Sequence, residues 1–140
     1  LIVEEHIDTF LFGSKSDFNS LCYALVSHMK EKYPHIQRVY VRAEYPHIDD
    51  KYRAYLLEQY EDTYYPARMT GAGRAAYVER NCEMIDRSRI CVVYYHHDYA
   101  PPRRYAARHC LSDYQPKSGT EIAYNYAVKK GIPIVNLQTV

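Results

Sequence analysis

The sequence has no tryptophan, no CxxC pair, no surplus of either charge, and no apolar run approaching the roughly 20 residues that cross a bilayer. Each absence narrows what the chain does. Without a spanning segment, a membrane is set aside as a partner. A formal net charge of +1 over 140 residues lacks the basic excess that marks nucleic-acid binders, which gives no reason to propose wholesale nucleic-acid binding. The four cysteines are Cys22, Cys82, Cys91 and Cys110, and three of them sit inside apolar patterns. They read as free core thiols of a reducing cytosol, and no metal site is expected. No basic-then-apolar leader opens the sequence, and a cytoplasmic location is the expectation.

What is present fits one globular domain with a real core: 140 residues, 47% hydrophobic and 25% charged. The 17 tyrosines stand out beside the missing tryptophan. A tyrosine offers a flat face and a hydroxyl, which suits ligand stacking or an interface, and equally a small strand-rich core. The first residues read as the end of a helix. Residues 1–140 are therefore expected to be a single domain lacking its first strand and part of its first helix.

Thr9 to Gly13 reads as a short buried strand stopped by glycine. Ser16 or Asp17 can cap the next helix, on which Phe18, Leu21, Cys22, Leu25 and Met29 share one face before Pro34 ends it. Arg38 to Ala43 alternates as a strand, Asp50 to Tyr60 suits a short helix, and Asp62 to Tyr65 a short strand. Gly71 and Gly73 precede a helix with Ala75, Val78, Cys82 and Ile85 on its apolar face, which leaves Arg80 off that stripe. Ile90 to Tyr95 is a continuous apolar run, the mark of a strand buried on both faces. His96 to Lys117 is polar and broken by Pro101-Pro102, a loop. Gly119 to Lys130 is a helix with Ile122, Ala123, Tyr126 and Ala127 inward, Gly131 ends it, and Pro133 to Leu137 is a final strand. Strands alternating with helices predict an α/β fold, a Rossmann-like three-layer sandwich with a mainly parallel sheet. Ligands of such sheets bind beyond the carboxyl ends of the strands.

Four constellations can carry chemistry. Ser118-Gly119-Thr120-Glu121 opens the last helix, where unpaired N–H groups and a partial positive charge suit a phosphate; the same residues also make a plain helix cap. Gly13-Ser14, followed by Lys15, Ser16 and Asp17, turns from strand to helix, although its spacing is neither GxGxxG nor a P-loop. Arg80-Asn81 lies in the helix before the apolar strand. Arg103, Arg104 and Arg108, with His109 and Lys117, form a basic stretch that reads as a lid over anionic oxygens or as a solvated loop. His96-His97-Asp98 has some metal-ligand character, but adjacent residues on an extended chain point to opposite sides and no second ligand set follows.

In order, these pieces are a Tyr77-Val78-Glu79-Arg80-Asn81 helix with Met84-Ile85-Asp86, the Ile90-to-Tyr95 strand, Gln115-Pro116-Lys117-Ser118-Gly119-Thr120, the Ala123-to-Gly131 helix, and Ile132-Pro133-Ile134-Val135. Over about residues 9–137 the chain resembles the SLOG superfamily, the Rossmann-like group of the DNA-processing protein DprA and the "lonely guy" (LOG) phosphoribohydrolases, and within it the YpsA-like bacterial and phage branch. The resemblance implies a nucleotide-derived small molecule over the carboxyl edge of the sheet, with Gly119-Thr120 at its phosphate and with no separate cofactor. It also sets Arg80 at the position of an arginine that assists glycosidic cleavage in LOG enzymes. Two departures bear on activity. Lys117-Ser118 stands where LOG enzymes have a double glycine, and Ala123 stands where they have a catalytic glutamate. Glu121 lies about 200° around the helix from that position, and a hydrolase needs a placed acid or base.

The expectation is therefore a binding module: a sensor, carrier or sink for a nucleotide-derived ligand. The alternative is a nucleotide N-glycosidic hydrolase using Arg80 with Glu121 or Asp17. A further alternative, a DNA-processing role of the DprA kind, is weakened by the near-zero charge. A homodimer is the assembly to test, given the tyrosines and the habits of the resembled family.

Overall fold

The structure, a computed structural model, describes residues 1–71, 73–98 and 118–139. Strands and helices alternate along it: β1 (Thr9–Phe12), α1 (Asp17–Lys32), β2 (Gln37–Val41), α2 (Asp50–Leu57), β3 (Asp62–Tyr64), α3 (Arg74–Asp86), β4 (Cys91–Val93), α4 (Gly119–Lys130) and β5 (Ile134–Asn136), ending on a 3-10 turn at Leu137–Thr139. Among the described residues every strand pairing is parallel, as the alternation predicts, and the class is mixed α/β. The pairings form two small sheets among the described residues, β1-β2-β3 and β4-β5. The chain divides into two compact units, residues 1–84 and 85–140.

In the first unit, Phe10 pairs with Arg38 and Phe12 with Tyr40, so these four side chains share one sheet face while Leu11, Val39 and Val41 take the other. The first face meets α1 through an aromatic cluster: Phe12 and Tyr23 make an edge contact at 5.7 Å, and Tyr60 lies 5.1 Å from Tyr23 and 5.3 Å from Tyr40. Ile36, Val41 and Pro66 are the largest fully buried side chains of this unit. Ser16 begins α1, its hydroxyl accepting from the Asn19 N–H at 3.2 Å. β2 and β3 are also joined by a clamp: Glu61 accepts from the Arg38 backbone N–H at 2.6 Å, from Nε at 3.0 Å and from Nη2 at 2.6 Å.

Two helix faces differ from those predicted. Leu21 and Leu25 are 58% and 57% exposed, and the inward side of α1 instead carries Cys22, Tyr23 and Val26. Tyr23 takes the place of the leucines because its ring joins the Phe12–Tyr60 cluster while its hydroxyl reaches the Gln59 carbonyl at 2.6 Å. On α3 Ala75 is exposed, and the most enclosed positions of its first three turns are Ala76, Arg80 and Glu83, a helical spacing occupied by two charged residues.

In the second unit α4 packs on β4 and β5, with Ala127 fully enclosed and Val93 and Tyr95 buried. Ser118 caps α4 by accepting from the Glu121 N–H at 3.0 Å. Gly131 closes it in the left-handed region, φ 71°, with its N–H turned to the Ala127 and Val128 carbonyls. The Asn136 side chain accepts from the Tyr95 N–H at 3.1 Å and donates to the Tyr95 carbonyl at 2.9 Å, beyond the last backbone pair of the ladder. The Ile90-to-Tyr95 run is not buried on both faces, because Tyr94 is exposed between the enclosed Val93 and Tyr95.

Candidate functional site

Parallel strands aim the carboxyl ends of β1 and β2 at the same edge, and there the chain opens a cleft of about 320 Å³. Gly13 and Ser14 enter it from the end of β1, and Arg42, Ala43 and Glu44 from the end of β2. Lys15 lies at the α1 entrance, and Arg80 reaches in from α3. Tyr40, Tyr52 and Tyr77 supply aromatic walls.

Arg80 is the centre of this arrangement. It is 4% exposed, its Nη1 donates to the Gly13 carbonyl, its Nε donates to Asn81 Oδ1 at 3.2 Å, and its guanidinium lies 5.4 Å from the Tyr77 ring centre. Gly13 has no side chain because there is no space for one: a Cβ there would lie 2.8 Å from Arg80 Nε and 2.8 Å from Met84 Sδ. Arg42 is nearly as enclosed, at 7%. Its Nη1 donates to Thr63 Oγ1 at 3.1 Å and its Nε to the Tyr45 carbonyl at 3.3 Å. That carbonyl is turned inward by a left-handed Tyr45, φ 59°, a conformation costly for a residue with a Cβ.

Neither guanidinium has a carboxylate within 4 Å among the described residues, and neither Nη2 has a hydrogen-bond partner there. Burial pulls the Arg80 guanidinium down, opposed by the charges of Tyr40 and Glu44; burial, and then the charge of Arg53, pull Arg42 down. Glu44 also lines the cleft, with its carboxylate accepting from the Tyr77 hydroxyl. Lys15, Arg42 and Arg80 against Glu44 leave a positive balance. Two enclosed guanidinium groups that reach one opening without a carboxylate leave positive charge there, an arrangement that can attract an anion.

Gly13, Ser14 and Arg80 are thus brought together, as the sequence reading nominated them, although burial puts Arg80 on the enclosed side of its helix and not on a solvated one. Asn81 accepts the hydrogen bond from Arg80 Nε and does not itself line the cleft. Asp17 sits exposed in the first turn of α1 and does not line this cleft. Ser118, Gly119, Thr120 and Glu121 belong to the second unit, where Ser118 is committed as a cap, Gly119 faces open space and Thr120 is exposed. Arg103, Arg104 and Arg108 lie outside the described residues. Sequence reasoning missed Arg42, Tyr40, Tyr52 and Tyr77. The available signal was Arg42 next to Ala43, at the carboxyl end of a predicted strand, where ligands of parallel sheets bind.

No family model, curated protein or solved structure matches the chain. The site therefore rests on its own geometry. Among the described residues no three His, Cys, Asp or Glu side chains are grouped to hold a metal ion, and no helix is long and apolar enough to cross a membrane.

Proposed function

We propose that the chain is a binding module (a sensor, carrier or sink) for a nucleotide-derived small molecule, built on a Rossmann-like three-layer fold of SLOG type. The ligand's anionic group enters the cleft at the ends of β1 and β2. The observation that carries this reading is the pair of buried guanidinium groups, Arg42 and Arg80, that face one cleft without a carboxylate partner. Arginine suits planar, bidentate recognition of phosphate oxygens, and Lys15 adds a mobile point charge at the entrance. The parallel strand pairs and the alternation of strands with helices support the fold assignment.

A thermal-shift series of the purified chain against nucleoside mono-, di- and cyclic phosphates tests the proposal. A ligand at about 100 times its Kd adds about 2.7 kcal/mol, several degrees in Tm for a domain of this size. Arg80→Met should abolish that gain while leaving the ligand-free protein folded. A series in which no nucleotide shifts Tm sinks the reading. Ligand recovered unchanged by chromatography identifies binding without turnover. Release of free base, lost on Glu121→Gln, would replace the binding module by a hydrolase.

A further inference from the structure

Past Ser14 and Lys15 the cationic cleft continues into a second groove of about 430 Å³, and Tyr40 and Tyr52 form walls of both. Tyr23, Tyr55 and Tyr60 add further aromatic walls, with Asn19 and Gln59 also in the lining. Two features separate this groove from an ordinary packed aromatic cluster. The first is open ring surface: Tyr52 and Tyr55 lie near parallel, 20° apart with centres 6.2 Å apart, and Tyr55 is more than half exposed. The second is unspent hydrogen-bonding capacity at the margin. Asn19 Nδ2 donates to the Ser14 carbonyl at 2.6 Å and leaves Oδ1 without a partner among the described residues. Gln59 accepts through its backbone carbonyl from Tyr23, and its side-chain amide is likewise unengaged there.

Resting on the anion-binding reading above, we propose that this groove takes the nucleobase of the ligand whose phosphate meets Arg42 and Arg80. Flat aromatic faces stack on any base, a contribution on the order of 5- to 150-fold in affinity. An amide, with one donor edge and one acceptor edge, matches the mixed donor and acceptor edge of a base. A sugar phosphate fills the cationic cleft and leaves the groove empty. A simple aryl phosphate stacks but leaves Asn19 and Gln59 unused. The ligand class is therefore a nucleotide bound end to end, phosphate at the arginines and base on the tyrosines.

Titration calorimetry of the whole chain with ribose 5-phosphate, the four ribonucleoside monophosphates and the parent nucleosides separates the two claims. At least one nucleotide should bind tenfold or more tightly than ribose 5-phosphate. Tyr55→Ala and Gln59→Ala, both at exposed positions, should each shrink that margin severalfold without changing the ribose 5-phosphate affinity. Equal affinity for ribose 5-phosphate and every nucleotide, with both lost in Arg80→Met, overturns the groove assignment and leaves the anion cleft standing. Nucleosides that bind as tightly as nucleotides, indifferent to Arg80→Met, overturn the anion cleft and keep the tyrosine groove. Circular dichroism of each variant confirms that it is folded.

Discussion

Replacing Gly13 by alanine should cost stability and ligand binding together. The new Cβ would lie 2.8 Å from Arg80 Nε, 2.8 Å from Met84 Sδ and 3.1 Å from Arg80 Cδ, where comfortable contacts sit near roughly 3.5–4.0 Å. The clashing groups come from one side of α3, four residues apart, and Arg80 is tied to the Gly13 carbonyl and to Asn81. Inserting a methylene into packed surroundings costs about 1–3 kcal/mol. The lower half of that range applies, about 1–2 kcal/mol, because side-chain ends can shift further than backbone. Urea unfolding followed by circular dichroism measures the loss as a lower midpoint at unchanged slope. Repeating the substitution in an Arg80→Ala background removes much of the clash, so the cost there should fall by at least about 0.5 kcal/mol, the coupling expected of residues in contact. An equal cost in the two backgrounds would refute the close approach of Arg80 to Gly13.

Stability should also fall in acid through Glu61. Burial pushes its carboxyl up, but hydrogen bonds from the Arg38 side chain and backbone, with the charges of Arg38 and Lys30, outweigh this and hold it at about 2 against an ordinary 4.5. The folded state thus binds fewer protons between those values, so the stabilisation is complete above about pH 4.5 and is lost as pH falls toward 2. The gap between those two values sets a ceiling of about 3 kcal/mol, and solvent screening of this partly exposed pair reduces the expectation to about 1–2 kcal/mol. Glu61→Gln should flatten the wild-type decline between pH 5 and pH 2.5; an unchanged pH profile rejects the clamp. Ser118→Ala removes the cap on Glu121 and should cost about 1 kcal/mol in thermal unfolding. Gly131→Ala should cost about 1–2 kcal/mol from its left-handed backbone alone, since its Cβ would meet nothing, and Gly131→Asn should cost less.

Much of the element order was legible from periodicity and punctuation. Gly13, Pro34 and Gly131 stop elements where the chain stops them, and Ser16 and Ser118 start helices as small hydroxyl residues do. The faces of the helices were harder to read. A hydrophobic count places Leu21 and Leu25 inside, but Tyr23 satisfies both a ring cluster and a hydrogen bond from one position, which a leucine cannot. On α3 the count fails because of a long-range contact. Arg80 occupies an enclosed position whose partner is a backbone carbonyl on a strand end 67 residues away in sequence, a pairing that no local pattern encodes. Arg42 was hidden in the same way, since a strand arginine looks outward-facing until its contact with Thr63 and the turned Tyr45 carbonyl is seen. The tyrosine count was visible from the start, but its convergence beside Lys15 depends on α2 packing against β3.

Asn136 imposes a restriction on how the second unit can vary. Its amide meets both polar groups of the Tyr95 backbone at once, imitating a peptide unit at the place where the paired strands stop. Aspartate has the same shape but would set a second acceptor against the Tyr95 carbonyl; glutamine has the same chemistry on a longer arm; leucine would match the volume and strand both backbone groups. Of the residues compared, asparagine alone meets both groups. Random mutagenesis of β5 should return asparagine there almost without exception, even though its side chain belongs to neither the packed interior nor the arginine cleft.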